Sequence, residues 1–140
     1  MRGEGHIRLH LHDAMAINRI LVVEDDEIQQ GMYSKAIPVN FHVNPVIVDN
    51  LEHALTLVRS KSFDLYITDG RYPLHTGEDE NKQAWEEFTR IVRELDPAAK
   101  IILITGGRWL DDLAQSLSVD YHLKGEVDWA GLAKKYLALK

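Results

Sequence analysis

Two apolar runs in this sequence end in acid. "RILVVEDDE", from Arg19 to Glu27, closes on Glu24, Asp25, Asp26 and Glu27, and "DLYITDGRYP", from Asp64, carries Asp69 just past a short apolar stretch. Carboxylates brought together repel, so acids at the ends of two strands imply a compensating ligand. Oxygen ligands alone, in a chain with no cysteine, suit a hard divalent cation such as Mg²⁺. Two other apolar runs end in groups of the opposite character. "IILITGG" sets Thr105 before Gly106 and Gly107, and "VDYHLKG" leads to Lys124. A hydroxyl, small residues that expose backbone N–H groups, and an ammonium are complementary to the oxygens of a phosphoryl group.

Hydrophobic periodicity names the elements that must position these groups. Strand-length runs are "ILVV" from Ile20, "VNPVIV" from Val43, "DLYIT" from Asp64, "IILIT" from Ile101 and "VDYHL" from Val119. Between and after them lie helical faces. Ile28, Met32 and Ala36 mark the first; Leu51, Ala54, Leu55 and Val58 the second, with Asn50 as N-cap. Trp85, Phe88, Val92 and Leu95 mark the third, Leu110, Leu113 and Leu117 a short fourth, and Trp129, Leu132, Ala133 and Tyr136 the last. Alternation of this kind predicts an α/β fold, a doubly wound five-stranded parallel sheet. Pro45 cannot donate to a sheet ladder, which sends the second strand to an edge. The flavodoxin-like order 2-1-3-4-5 puts it there, and the order then reverses between the first and third strands. Ligands of open α/β sheets bind at that point, beyond the carboxyl ends of the strands. Glu24, Asp25 and Asp69 therefore converge on one crevice, with Thr105 and Lys124 beside it. Such a constellation describes an aspartate that accepts a phosphoryl group in line, with Mg²⁺ and Lys124 neutralising the equatorial oxygens.

Composition bounds the remaining possibilities. The chain has 140 residues, 45% hydrophobic and 27% charged, the balance of one globular domain. No apolar run is long enough to span a bilayer and no signal peptide is evident, so the expectation is a cytoplasmic protein without a membrane partner. The net charge is −6 and no basic stripe exists, which argues against nucleic acid as a partner. Residues 1–18 stand outside the strand–helix pattern and read as a flexible N-terminal extension; "HIRLHLH" within it has the alternation of an extra edge strand. Residues 19–140 form the domain.

From Arg19 onward the chain resembles the receiver domains of two-component response regulators. The motifs that carry the resemblance are "ILVVEDDE", "DLYITDGRYP", "IILITGG" and "YHLKG". It implies that Asp69 takes a phosphoryl group from a histidine kinase or phosphotransfer protein. Asp25 would bind Mg²⁺ directly, Glu24 through water, Asp69 by its carboxylate and Arg71 by its backbone carbonyl. Thr105 and Lys124 would hold phosphoryl oxygens, and Tyr121 matches the family's switch aromatic, with Thr105 as its companion in the switch. Pro73 and Gly77 match the residues that usually follow the phosphoacceptor. The chain ends with its fifth helix, so a stand-alone receiver is expected. It would signal to a downstream protein, or pair with itself, through the fourth helix, fifth strand and fifth helix. It would be an acceptor, with possible autophosphatase activity, and no turnover enzyme on external substrates.

Departures from the pattern keep an alternative open. "GEDENKQAW", from Gly77 to Trp85, is longer than the family's usual segment, and the helix between Gly107 and Ser118 is shorter. Gly125 follows Lys124 where proline is usual, and Arg71 puts a long cation two residues after Asp69. The alternative is a pseudo-receiver, a protein-binding module that works without phosphorylation. A Mg²⁺-dependent phosphatase or nuclease is a third reading, weakened because Arg71 stands where such sites want a second carboxylate. The bland assignments are an acidic first helical turn for Asp26 and Glu27, core packing for Trp85, Trp109 and Trp129, plain packing for Tyr121, and a solvated face for Glu78, Asp79 and Glu80.

Overall fold

The computed structural model describes residues 17–107 and 111–137. Strand and helix alternate along the chain: β1 Ile20–Val23, α1 Glu27–Phe41, β2 Val46–Val48, α2 Leu51–Ser60, β3 Leu65–Thr68, β4 Tyr72–Pro73, β5 Glu80–Asn81, α3 Ala84–Leu95, β6 Ile101–Thr105, α4 Asp111–Ser116, β7 Asp120–Leu123 and α5 Trp129–Leu137. The main sheet is parallel and runs β2-β1-β3-β6-β7, the predicted 2-1-3-4-5 order once the two-residue strands β4 and β5 are set aside. Those two form a separate antiparallel ribbon that the sequence pattern does not announce.

Successive side chains of a strand point to opposite faces, and the central strands, apolar throughout, build one core on each side. Leu21, Val23, Tyr66, Ile101 and Leu103 face α2 and α3 in the first core. Ile20, Val22, Leu65, Ile67, Ile102 and Ile104 face α1 and α5 in the second. β2 is an edge strand, as Pro45 requires, and begins one residue past it at Val46. The run predicted from Val43 is thus shortened, and Val43 only packs at the rim of the core. α2 uses its predicted face, and Asn50 caps it by accepting from the His53 N–H at 2.8 Å. Asp26 caps α1 in the same way, accepting from Gln29 N–H at 2.9 Å.

Two predicted faces are displaced. α1 buries Tyr33, Ile37 and Phe41, one position on from Met32 and Ala36, while Ile28 is 80% exposed. Two large rings, Tyr33 and Phe41, claim that side of the sheet. In α3 the stripe Trp85, Phe88 and Val92 is buried as expected, but Leu95 is 56% exposed because the helix ends there, past the sheet. Ile17 is buried in the second core, and the Asn18 and Arg19 N–H groups donate to Asp64 at 2.7 and 2.9 Å. Residues 17 and 18, assigned above to the extension, are part of the folded unit; "HIRLHLH", Trp109 and Leu110 lie outside the described residues. Among the described residues no helix is long and apolar enough to cross a membrane.

Candidate functional site

Backbone pairing fixes the acids. Beyond β1, the Glu24 N–H bonds Val48 O at 2.9 Å, and beyond β3 the Asp69 N–H bonds Val23 O at 3.0 Å. The sheet ladder therefore continues one step into the crevice and lays the two residues side by side. Ligand oxygens of Glu24, Asp25 and Asp69 all lie within 4.8 Å of one another. Glu24 is fully buried and Asp69 nearly so. Glu24 is held by the Asp26 N–H on Oε2 at 3.1 Å and by Gln30 Nε2 on its carbonyl at 2.6 Å.

Lys124 comes from the opposite edge of the sheet. Its N–H bonds Thr105 O at 2.8 Å, which extends β7 along β6. Its ammonium reaches Asp69 Oδ2 at 3.1 Å and Glu24 Oε1 at 3.3 Å, the latter an ion pair without hydrogen-bond geometry. The next residue, Gly125, has φ +83°, a conformation closed to the proline of the family pattern. Glycine here turns the chain away and leaves Lys124 on the acids. The other Asp69 oxygen accepts from the Gly70 N–H at 2.6 Å.

The electrostatics follow from burial and crowding. Loss of solvation, and then the Asp69 charge, push the Glu24 carboxyl up to about 8, against the pull of Lys124. Burial, followed by the Glu80 carboxyl, pushes Asp25 up to about 7. Burial would lower the Lys124 ammonium; Asp69 and then Glu24 outweigh it and hold it above its ordinary value. One lysine facing several carboxylates leaves the crevice electron-rich. Glu24 Oε1 and Asp25 Oδ1 are buried and accept no hydrogen bond among the described residues. A hard cation fits such oxygens.

The remaining candidates lie around this centre. Thr105 ends β6, buried. Arg71 is half-buried two residues past Asp69. Tyr121, half-buried on β7, donates its hydroxyl to the Gly107 carbonyl and so ties β7 to the loop after Thr105. Three residues at the site escape sequence reasoning. Tyr72 is fully buried and donates to Thr68 Oγ1 at 2.9 Å, which in turn donates to the Asp69 carbonyl at 2.9 Å. Tyr33, buried against Trp129 with ring centroids 5.7 Å apart, has a hydroxyl with no hydrogen-bond partner among the described residues. Its phenol is pushed up by burial and then by Glu24 and Asp69. The third is Glu80, exposed as the solvated-face reading expects, whose charge also helps to raise the Asp25 carboxyl.

No protein-family model matches the sequence, and no curated protein does. Solved structures do match the fold. A receiver domain protein from Methanospirillum hungatei is 20% identical with a TM-score of 0.67, covering 86% of this chain and 90% of that one. The response regulator TrrA from Thermotoga maritima, solved in complex with Mg²⁺-BeF, is 24% identical with a TM-score of 0.67, covering 85% and 96%. The chain has the receiver fold. A third receiver domain, from a sensor histidine kinase of Pseudomonas aeruginosa and with magnesium coordinated in its active site cleft, is 18% identical with a TM-score of 0.69, covering 89% and 100%. In this receiver fold the resemblance carried by four short motifs and the topology of the whole sheet agree.

Proposed function

We propose that the chain is a phosphoacceptor receiver of two-component signalling, with Asp69 as acceptor. The observation that carries this reading is the Lys124 ammonium, set between Asp69 and Glu24 with Asp25 in the same cluster. An Asp69 carboxylate oxygen attacks the phosphorus of a donor phosphohistidine. The O–P bond forms as the P–N bond breaks, and the imidazole leaves with the electron pair. Lys124 is already at the nucleophile and moves with the negative charge onto the phosphoryl oxygens. Thr105, at the end of the adjacent strand, supplies a hydroxyl to a further oxygen. Asp25 and Asp69, with Glu24 through water and the Arg71 carbonyl, would hold Mg²⁺. When bound, that ion supplies charge neutralisation at the phosphoryl oxygens. Support comes also from receiver-fold proteins solved with Mg²⁺ or Mg²⁺-BeF.

The output is a protein contact at the face of α4, β7 and α5. Tyr121 on β7, bonded to the loop after Thr105, links that face to the acceptor. The protein is a switch or relay carrier rather than a turnover enzyme. Incubation with acetyl phosphate and Mg²⁺ tests the assignment by intact mass. The wild type gains one phosphoryl group and Asp69→Asn gains none. Equal labelling of both would remove Asp69 from its role, and an unlabelled wild type would favour the phosphorylation-independent binding module.

A further inference from the structure

A cleft of about 470 Å³ opens at the amino ends of β6 and β7, the end of the sheet opposite the acceptor crevice. Its size falls within the roughly 300–1,000 Å³ of small-molecule sites. Three cations from separate elements line it: Arg93 in the last turn of α3, Lys100 at the entry to β6, and Lys135 on α5. Arg93 is pinned by backbone. Its Nη1 donates to the Ala99 carbonyl at 2.8 Å and its Nη2 to the Ser118 carbonyl at 2.7 Å. Those carbonyls fix the guanidinium without cancelling its charge, and its buried Nε has no acceptor among the described residues. Lys100 is exposed and pairs with no carboxylate among the described residues. The acid in the lining, Asp120, is already engaged. Lys135 donates to it at 2.9 Å, the Tyr136 hydroxyl donates at 2.7 Å, and His122 pairs with it at 2.9 Å. Three cations against one carboxylate leave a surplus of two positive charges, in a chain whose net charge is −6. A concave lining of one sign concentrates ions of the other.

We propose that this cleft is a second binding site, for a small polyanion carrying phosphoryl groups, and that Arg93, Lys100 and Lys135 hold it. Cations delivered by three separate elements favour a ligand with more than one anionic group. The guanidinium is already fixed by its carbonyls, so it loses little freedom when it binds. A bound polyanion joins the end of α3 to α5, and α5 belongs to the face proposed above for output. The site shares no residue with the acceptor crevice, so it stands whether or not Asp69 is phosphorylated.

The test titrates inorganic pyrophosphate, and separately inorganic phosphate, into the full chain by calorimetry, with EDTA present and ionic strength constant. The wild type binds pyrophosphate more tightly than phosphate. Lys100→Gln removes an exposed charge that holds nothing else together and weakens pyrophosphate binding roughly fivefold or more, whereas Lys100→Arg keeps it within about twofold. Lys134→Gln removes the neighbouring α5 charge outside the cleft and changes binding by less than about twofold. Amide shifts in nuclear magnetic resonance give a second readout: pyrophosphate moves Lys100 and Val119 and leaves Asp69 in place. If the wild type does not bind pyrophosphate at millimolar concentration, or binds it no better than phosphate, the proposal falls. It also falls if Lys100→Gln and Lys134→Gln weaken binding equally, which would mean attraction to net charge alone. Labelling of Asp69 by acetyl phosphate is the same in Lys100→Gln as in the wild type, so either reading can fail without the other.

Discussion

At the scale of single residues, each acid is distinguished by what faces it. Asp69 has the Lys124 ammonium on one oxygen and the Gly70 N–H on the other. Asp25 shares its cluster with Glu24 and Asp69, and neighbouring carboxyls add to burial in raising it. Removing the Asp25 charge relieves repulsion at no matching loss, so Asp25→Asn should stabilise the cation-free protein by roughly 1 kcal/mol at an intermediate effective dielectric. Asp69→Asn sacrifices an attraction along with the repulsion and should change stability much less. Melting temperatures of both variants in EDTA decide the point; equal shifts would contradict it. The two buried tyrosines make a second contrast. The Tyr33 hydroxyl has no partner among the described residues, so Tyr33→Phe should be neutral or stabilising, whereas Tyr72→Phe breaks the bond to Thr68 and should cost about 1 kcal/mol in denaturant titration. A stabilised Tyr72→Phe would show that the Tyr72–Thr68–Asp69 chain does not hold the acceptor's backbone.

At the scale of elements, the connections decide the chemistry. The loop from β7 to α5 leaves Lys124 on the acids because Gly125 takes φ +83°. Nothing lies within 4 Å of a Cβ built at Gly125, so the cost of a side chain there is conformational only. Gly125→Ala should destabilise by about 1–2 kcal/mol. Gly125→Pro cannot hold the φ at all and should displace Lys124. The expected readout is loss of acetyl phosphate labelling in a Gly125→Pro protein that still melts cooperatively. Retained labelling would mean that Lys124 finds the acceptor by another path. α1 carries a comparable lesson. Its core face turns on Tyr33 and Phe41, and its exposed Ile28 stands in the first turn, close in sequence to Asp25.

Over the whole molecule, two sets of ionisable groups set opposing pH trends. Burial would raise the Asp120 carboxyl, but hydrogen bonds from His122, Lys135 and Tyr136 outweigh it and hold it far below its ordinary value. Its contribution is present above the unfolded value of 3.8 and is lost as pH falls. Glu24 and Asp25 act the other way. They hold protons more tightly when folded, so their contribution is full below 4.5 and 3.8 and is lost as pH rises through about 8 and about 7, respectively. The cation-free protein should be most stable in mildly acidic solution and lose roughly 1–3 kcal/mol by pH 9, after discounting Asp25 for its partial exposure. Millimolar Mg²⁺ binds only the folded, ionised pocket and should flatten that fall. Denaturant titrations across pH with EDTA or Mg²⁺ measure it, and a profile in EDTA that rises from pH 5 to pH 9 would contradict it.

The sequence alone determined the sheet order and the convergence of Glu24, Asp25 and Asp69. Both follow from short-range facts: uninterrupted apolar runs demand burial on two faces, Pro45 demands an edge, and right-handed crossovers leave one ligand-binding end. It also placed Asn50 as a cap, because capping is a matter of a few neighbouring residues. It misplaced the α1 face, since the burial of Tyr33 depends on the ring of Trp129, 96 positions away and 5.7 Å distant. It left open whether Lys124 would reach the acids past Gly125, a matter of one backbone angle. It missed the β4–β5 ribbon. A two-residue antiparallel pairing leaves no periodicity, and only the buried Tyr72 and Pro73 give the ribbon something to pair with. Repeating patterns along the chain thus sufficed for the elements. Single contacts between residues far apart in sequence, fixed only when both sides of the sheet are packed, decided which side chains meet in the crevice.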